Sequence, residues 1–190
     1  MYLIKDDFIS VGLVAKHCDL GKLDLAIEES KNFDMIPLFC FDFVNDVLNN
    51  WGILEANPDY QKYRNLIDGD VYINSDKSYN NLGFKKVWVY YAYARYLLIN
   101  QFNDTANGTV IKDNEWSSPT PLKEIKDYSN DYRDMGAEAF KNVQSFLCKN
   151  KEIYPKFDTC NCQLSCGCFG GCSCGNTKKI TGFKFSTVSK

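Results

Sequence analysis

The sequence predicts a mainly α-helical protein: a helical bundle with a projecting β-hairpin or loop arm and a cysteine-rich C-terminal extension ending in a short strand. Three observations carry that prediction. Residues 83–99 form a nearly unbroken apolar run studded with Tyr90, Tyr91, Tyr93 and Tyr96. Residues 122–146 place apolar side chains at intervals of three and four, the period of one helix face. Beyond residue 150 the composition turns abruptly to cysteine and glycine.

The elements follow in chain order. Asp19 is placed to cap a helix over residues 20–30, with Leu20, Leu23, Ile27 and Phe33 as its apolar stripe. Pro37 suits a first helical position, and Leu38, Phe41, Val44, Leu48 and Trp51 then recur at threes and fours up to Gly52. Asn57 and Pro58 read as cap and first position of a shorter helix through Tyr60, Tyr63, Leu66 and Ile67, closed by Gly69. Residues 70–81 are polar and turn-rich, which predicts a loop with a scrap of extended chain around Val71, Tyr72 and Ile73.

The central helix over residues 82–99 is apolar on every side, so it must be surrounded by protein, its own or a neighbouring subunit's. That points to packing and assembly. In residues 101–120, Asn107 and Gly108 give a strong turn signal next to Thr109, Val110 and Ile111, which predicts a small hairpin arm. Pro121 then opens the longest helix, with a stripe of Leu122, Ile125, Tyr128, Tyr132, Met135, Ala139, Val143 and Phe146. The expected organisation is a helical domain over residues 1–150 and a cysteine-rich tail over residues 151–190, with a strand over residues 179–185.

In the tail a Cys-x-Cys pair recurs every six residues: Cys160 and Cys162, Cys166 and Cys168, Cys172 and Cys174. Residues two apart in extended chain point to the same side, so each pair offers two sulfurs to one point. Six thiolates brought together by the intervening glycines suit a structural zinc. Iron–sulfur ligation, disulfides tying down a tract too small to own a core, and reactive thiols are the other readings of the same pattern.

Elsewhere the chemistry is sparse. His17 is the single histidine, and His17, Cys18 and Asp19 are consecutive, so they cannot converge as nucleophile, base and orienter. Glu28 with Glu29, Asp42 with Asp46, and Asp131 with Asp134 read as solvated helix faces. No phosphate-binding glycine loop or nucleophile elbow is present, and the expectation is that the protein is not an enzyme. A formal net charge of −2 provides no field to hold a phosphate backbone, which disfavours nucleic-acid binding as the principal activity. The N-terminal residues lack a basic segment followed by an apolar run, so synthesis in a cytoplasm without a leader is expected. The longest apolar stretch, residues 87–99, is short of the ~20 residues of a membrane span and contains Arg95.

Several blocks together resemble the head–tail connector (neck or ring adaptor) proteins of tailed bacteriophages, particularly those of crAss-like and other Bacteroides-infecting phages. These are residues 22–34, residues 63–69, residues 83–99 with Ala92, Tyr93, Ala94, Arg95 and Tyr96 at their centre, and residues 105–112, leading to Ser117 and Lys123. The likeness spans about residues 3–150. It implies a helical-bundle adaptor that forms a homo-oligomeric ring, with the portal's twelvefold symmetry, in the neck of the virion. Such a ring is assembled in the bacterial host cytoplasm, contacts the portal protein and other neck or tail proteins, and continues a channel through which DNA passes without sequence-specific binding. The chain departs from that pattern at Ala106 and Asn107, where an aromatic residue often precedes the loop glycine, and in the added cysteine tract. A reading from another class is a soluble, metallothionein-like zinc-binding protein with a helical carrier domain.

Overall fold

The computed structural model describes residues 2–12, 19–74, 76–105, 108–111 and 120–157. After a 3-10 turn, Lys5–Ser10, the chain enters α1 (Leu20–Ser30), where the Asp19 side chain accepts a hydrogen bond from the Lys22 backbone N–H at 3.3 Å. The expected cap is therefore in place. The buried face consists of Leu23, Ala26, Ile27 and Ser30, while Leu20 and Phe33 of the expected stripe are exposed. A wide π turn, Lys31–Met35, in which the Ile36 N–H donates to the Lys31 carbonyl, carries the helix on into α2 (Ile36–Phe39).

Pro37 thus lies inside a continuing helical run and does not open one. A proline lacks the donor that a regular turn needs, and the π turn just ahead of it interrupts the regular ladder in any case. The break comes instead at Cys40, whose φ of 62° and ψ of 157° lie in a region that side chains rarely adopt. That break resets the phase of α3 (Phe41–Asn49), which buries Phe43, Val44 and Val47 and leaves Phe41 facing out; Leu38, Leu48 and Trp51 are half-buried against the core.

α4 (Tyr60–Ile67) begins two residues later than expected, with Asp59 before it and the Asn57 side chain accepting from the Asp59 N–H at 2.9 Å. It buries Tyr63, Leu66 and Ile67. The next segment is not the expected loop. It is a complete antiparallel hairpin, β1 (Asp70–Asn74) with β2 (Lys77–Asn81), in which Asp70 faces Asn81 and Asn74 faces Lys77. Its polar residues mask the strands because the hairpin is stabilised from one side only. Tyr72 stacks on Tyr79 across the strands at 5.5 Å and meets Phe146 edge-on at 5.1 Å, and the Lys149 ammonium sits 3.6 Å above the Tyr79 ring.

The hairpin leaves and rejoins the helical body at Gly69 and Gly83, which have φ values of +88° and +85°. Their backbones lie back to back: a Cβ on Gly69 would stand 2.3 Å from the Asn81 carbonyl oxygen, and one on Gly83 would stand 2.6 Å from the Gly69 nitrogen. Buried Asn81 closes the junction by donating to the Asn65 carbonyl at 2.7 Å and accepting from the Gly83 N–H at 3.2 Å.

α5 (Phe84–Ile99) runs through the middle of the molecule between α1 and α6 (Leu122–Lys149), and every one of its residues is buried or half-buried. A single copy of the chain therefore covers the apolar helix. Trp88 is fully buried and donates its indole N–H to Ser30 Oγ at 2.9 Å, locking α5 to α1; Ser129 of α6 donates to the Ala94 carbonyl at 2.9 Å. Gly136 lets α6 approach the Tyr91 ring, which a Cβ there would meet at 3.0 Å.

The expected α6 stripe holds at Ile125, Ala139, Val143 and Phe146, whereas Leu122, Tyr128 and Met135 are exposed. Past Asn150 the helical body continues. Tyr154 is buried beside Phe146 and donates to the Lys62 carbonyl at 2.8 Å, and Phe157 is buried against Phe39 and Phe43. Among the described residues no helix is long and apolar enough to cross a membrane.

Candidate assembly surface

The six cysteines of the repeat, Cys160, Cys162, Cys166, Cys168, Cys172 and Cys174, lie outside the described residues, as do His17, Cys18, Asn107 and the expected strand over residues 179–185. Among the described residues no group of three or more histidine, cysteine, aspartate or glutamate side chains is placed to hold a metal ion.

The carboxylates expected on solvated faces divide into two kinds. Glu28 is exposed and pairs with Lys31 at 2.5 Å, and Asp131 and Asp134 are exposed on α6. Asp46 is not a surface group. It accepts from the Tyr63 hydroxyl at 2.8 Å and pairs with Lys156, so it joins α3, α4 and the turn at residues 155–157. Burial first, then the hydrogen bond to Asp46, pushes the Tyr63 phenol well above its ordinary value of 10.0, and burial does the same to Tyr154. Because the folded state keeps both phenols protonated where the unfolded chain ionises, their contribution is complete below about pH 10 and falls as pH rises beyond it. The double variant Tyr63→Phe, Tyr154→Phe should accordingly lose less stability between about pH 9 and about pH 11 than the unaltered protein, as followed by urea unfolding at each pH.

Asp34, outside these sets, is a buried carboxylate. Asp34 is only 2% exposed and is gripped by Arg95 Nε at 2.6 Å and Arg133 Nη2 at 2.8 Å, with Glu29 3.4 Å from Arg95. The hydrogen bond that Arg95 donates to Asp34 outweighs burial and raises the Arg95 pKa. Arg95 also lies 5.5 Å over the Phe33 ring and Arg133 5.4 Å over Tyr91. The network ties the π turn to α5 and α6. Its only sequence signal was an arginine in an otherwise apolar helix, which demands a buried or bridging anion. Asp34→Asn should cost about 2 kcal/mol in urea unfolding, below the usual range for a broken buried pair because Arg133 remains 42% exposed and can be hydrated.

The tyrosine row serves packing. Tyr91, Tyr93 and Tyr96 are buried, with Tyr93 4.7 Å from Tyr132 edge-on, and only Tyr90 reaches the surface of α5. There it lines a shallow open groove of about 940 Å³ against α6, with Leu82, Met135 and Ala139 as further apolar lining and Asp131, Asp134 and Glu138 along one wall. At the end of α5 the chain turns into a second hairpin, β3 (Phe102–Thr105) with β4 (Gly108–Ile111), in which Phe102 faces Ile111 and Thr105 faces Gly108. This lies within the expected arm. The Phe102 carbonyl accepts from the Lys22 ammonium, and no third strand joins the pair among the described residues.

Residues 36–166 match a family profile, which takes in α2 to α6, both hairpins and part of the cysteine tract. The chain belongs to the family of unknown function DUF6712. No curated protein and no solved structure matches the chain. This DUF6712 chain thus presents a self-covered helical body, a two-stranded arm that no third strand joins among the described residues, and a set of exposed apolar side chains that includes Phe33, Phe41, Leu54 and Ile73.

Proposed function

We propose that this protein is a structural subunit of the neck of a tailed bacteriophage, forming a homo-oligomeric ring that joins the portal to the tail and continues the DNA channel. The observation that carries the reading is the β3–β4 arm, which stands at the end of the central helix in the stretch where the likeness to phage connectors is most specific. A two-stranded hairpin on its own is marginal in water, and among the described residues each of its strands offers an unpaired edge. A neighbouring subunit that covers the arm would satisfy both, and a repeated head-to-tail contact of this kind closes into a ring. Exposed Phe33, Phe41, Leu54 and Ile73 supply apolar area for further contacts.

The central helix is sheltered within one chain, so the subunit should fold before it assembles. That separates the two properties experimentally. Replacing residues 103–110 by a short glycine–serine linker should leave the thermal transition of the body intact and abolish ring formation. The measurement is solution mass by light scattering, with and without the portal protein. The unaltered chain is expected to give a closed oligomer, or to form one on the portal; a monomer that ignores the portal and other neck components overturns the proposal. In the same reading Cys160, Cys162, Cys166, Cys168, Cys172 and Cys174 hold a structural zinc at the base of the tail, and elemental analysis of protein purified under reducing conditions tests that separately.

A further inference from the structure

The groove between α5 and α6 has an apolar floor and an acidic wall. Leu82, Tyr90, Met135 and Ala139 form the floor, and Asp131, Asp134 and Glu138 line its side, with Asp127 continuing the acidic row one turn further along α6. Lys141 also lines the groove and pairs with Glu138 at 2.5 Å, whereas Asp127, Asp131 and Asp134 make no ion pair among the described residues, so the wall keeps a net negative charge. Met135 is 49% exposed, and a thioether beside a tyrosine is an adaptable apolar surface for another chain.

The complementary pattern occurs within this same chain. Residues 176–190 contain Lys178, Lys179, Lys184 and Lys190 without a single acidic residue, and interleave them with Ile180, Phe183 and Phe185. We infer that this lysine-rich C-terminal segment docks in the α5–α6 groove of its own chain, with Phe183 and Phe185, which share one side of an extended chain, on the floor and Lys178 and Lys184, on its other side, reaching the acidic wall. The dimensions agree. From Asp127 to Glu138 the helix advances ~17 Å, and from Lys178 to Lys184 an extended chain advances ~20 Å. Groove and segment belong to one polypeptide, which makes the contact intramolecular and favours it over binding by a separate molecule. The inference is independent of the ring, since a monomer would form the contact equally well.

The test is carbodiimide coupling of the intact chain at low ionic strength, followed by peptide mass spectrometry. Lys178, Lys179 or Lys184 should couple to Asp127, Asp131, Asp134 or Glu138, and the adduct should have the mass of one chain. Lys178→Glu, Lys179→Glu and Lys184→Glu together remove the coupling amines and should abolish these adducts. Adding Asp131→Lys and Asp134→Lys, both at exposed positions, should restore coupling with the charges exchanged. Coupling spread evenly over surface carboxylates, insensitivity to charge reversal, or adducts found only at the mass of two chains would each overturn the inference, the last by placing the segment on a second copy.

Discussion

Gly83→Val is expected to lower the stability of the folded chain by roughly 3–4 kcal/mol. Two costs combine at this position. A φ of +85° puts a β-branched residue in a conformation that only glycine adopts freely, and the new Cβ would stand within 2.6–2.7 Å of the Gly69, Ile67 and Asp68 backbone. Backbone cannot swing aside as a flexible side chain can, so either the hairpin junction opens or the start of α5 shifts. Gly69→Val should behave alike, because each glycine fills the space that the other leaves. The double variant should cost less than the sum, since one opened junction relieves both clashes. Urea unfolding of the three variants checks the size and the coupling together. A loss below 1 kcal/mol for Gly83→Val would mean that the two backbones are not in contact.

Trp88→Ala should cost about 3–5 kcal/mol, the range for deleting a large buried aromatic side chain. The indole is 1% exposed and lies edge-on to Trp51 at 5.7 Å and to Phe84 at 6.3 Å, so the vacated space has rigid aromatic walls that collapse poorly. Its N–H also serves Ser30 Oγ at 2.9 Å and the Ile27 carbonyl at 3.2 Å. Trp88→Phe separates the contributions: it keeps most of the apolar contact, abandons the hydrogen bond, and should cost about 1–2 kcal/mol. Thermal unfolding followed by far-ultraviolet circular dichroism reads both. Equal losses for the two variants would show that the hydrogen bond, and not the packing, fastens α1 to α5.

The residues that could be placed from sequence were those whose reasons are local. Asp19 caps α1 because its own side chain reaches the next turn, and the 83–99 run declares a buried helix by composition alone. The missed features have distant causes. The β1–β2 hairpin consists of polar residues, and what selects it is Phe146 and Lys149 of α6, far along the chain. Phe41 was assigned inward by counting from Pro37, but the count restarts at Cys40, whose unusual backbone no periodicity announces. Asp46 reads as an ordinary surface carboxylate, and nothing local singles out Asp34; their partners Tyr63, Arg95 and Arg133 come from other helices. For the candidate surface, the arm was legible because a turn dipeptide marks it, whereas the α5–α6 groove required knowing which half of the α6 stripe would be left uncovered.

The burial of Phe157 against Phe39 and Phe43 bears on how the polypeptide is born. While the ribosome is still adding residues up to 157, those two phenylalanines have been made and lack their final cover, and at ~5–20 residues per second this interval lasts several seconds. A nascent chain with such a sticky face is a natural client for a chaperone. Moving residues 154–157 ahead of α3 by circular permutation should shorten that dependence.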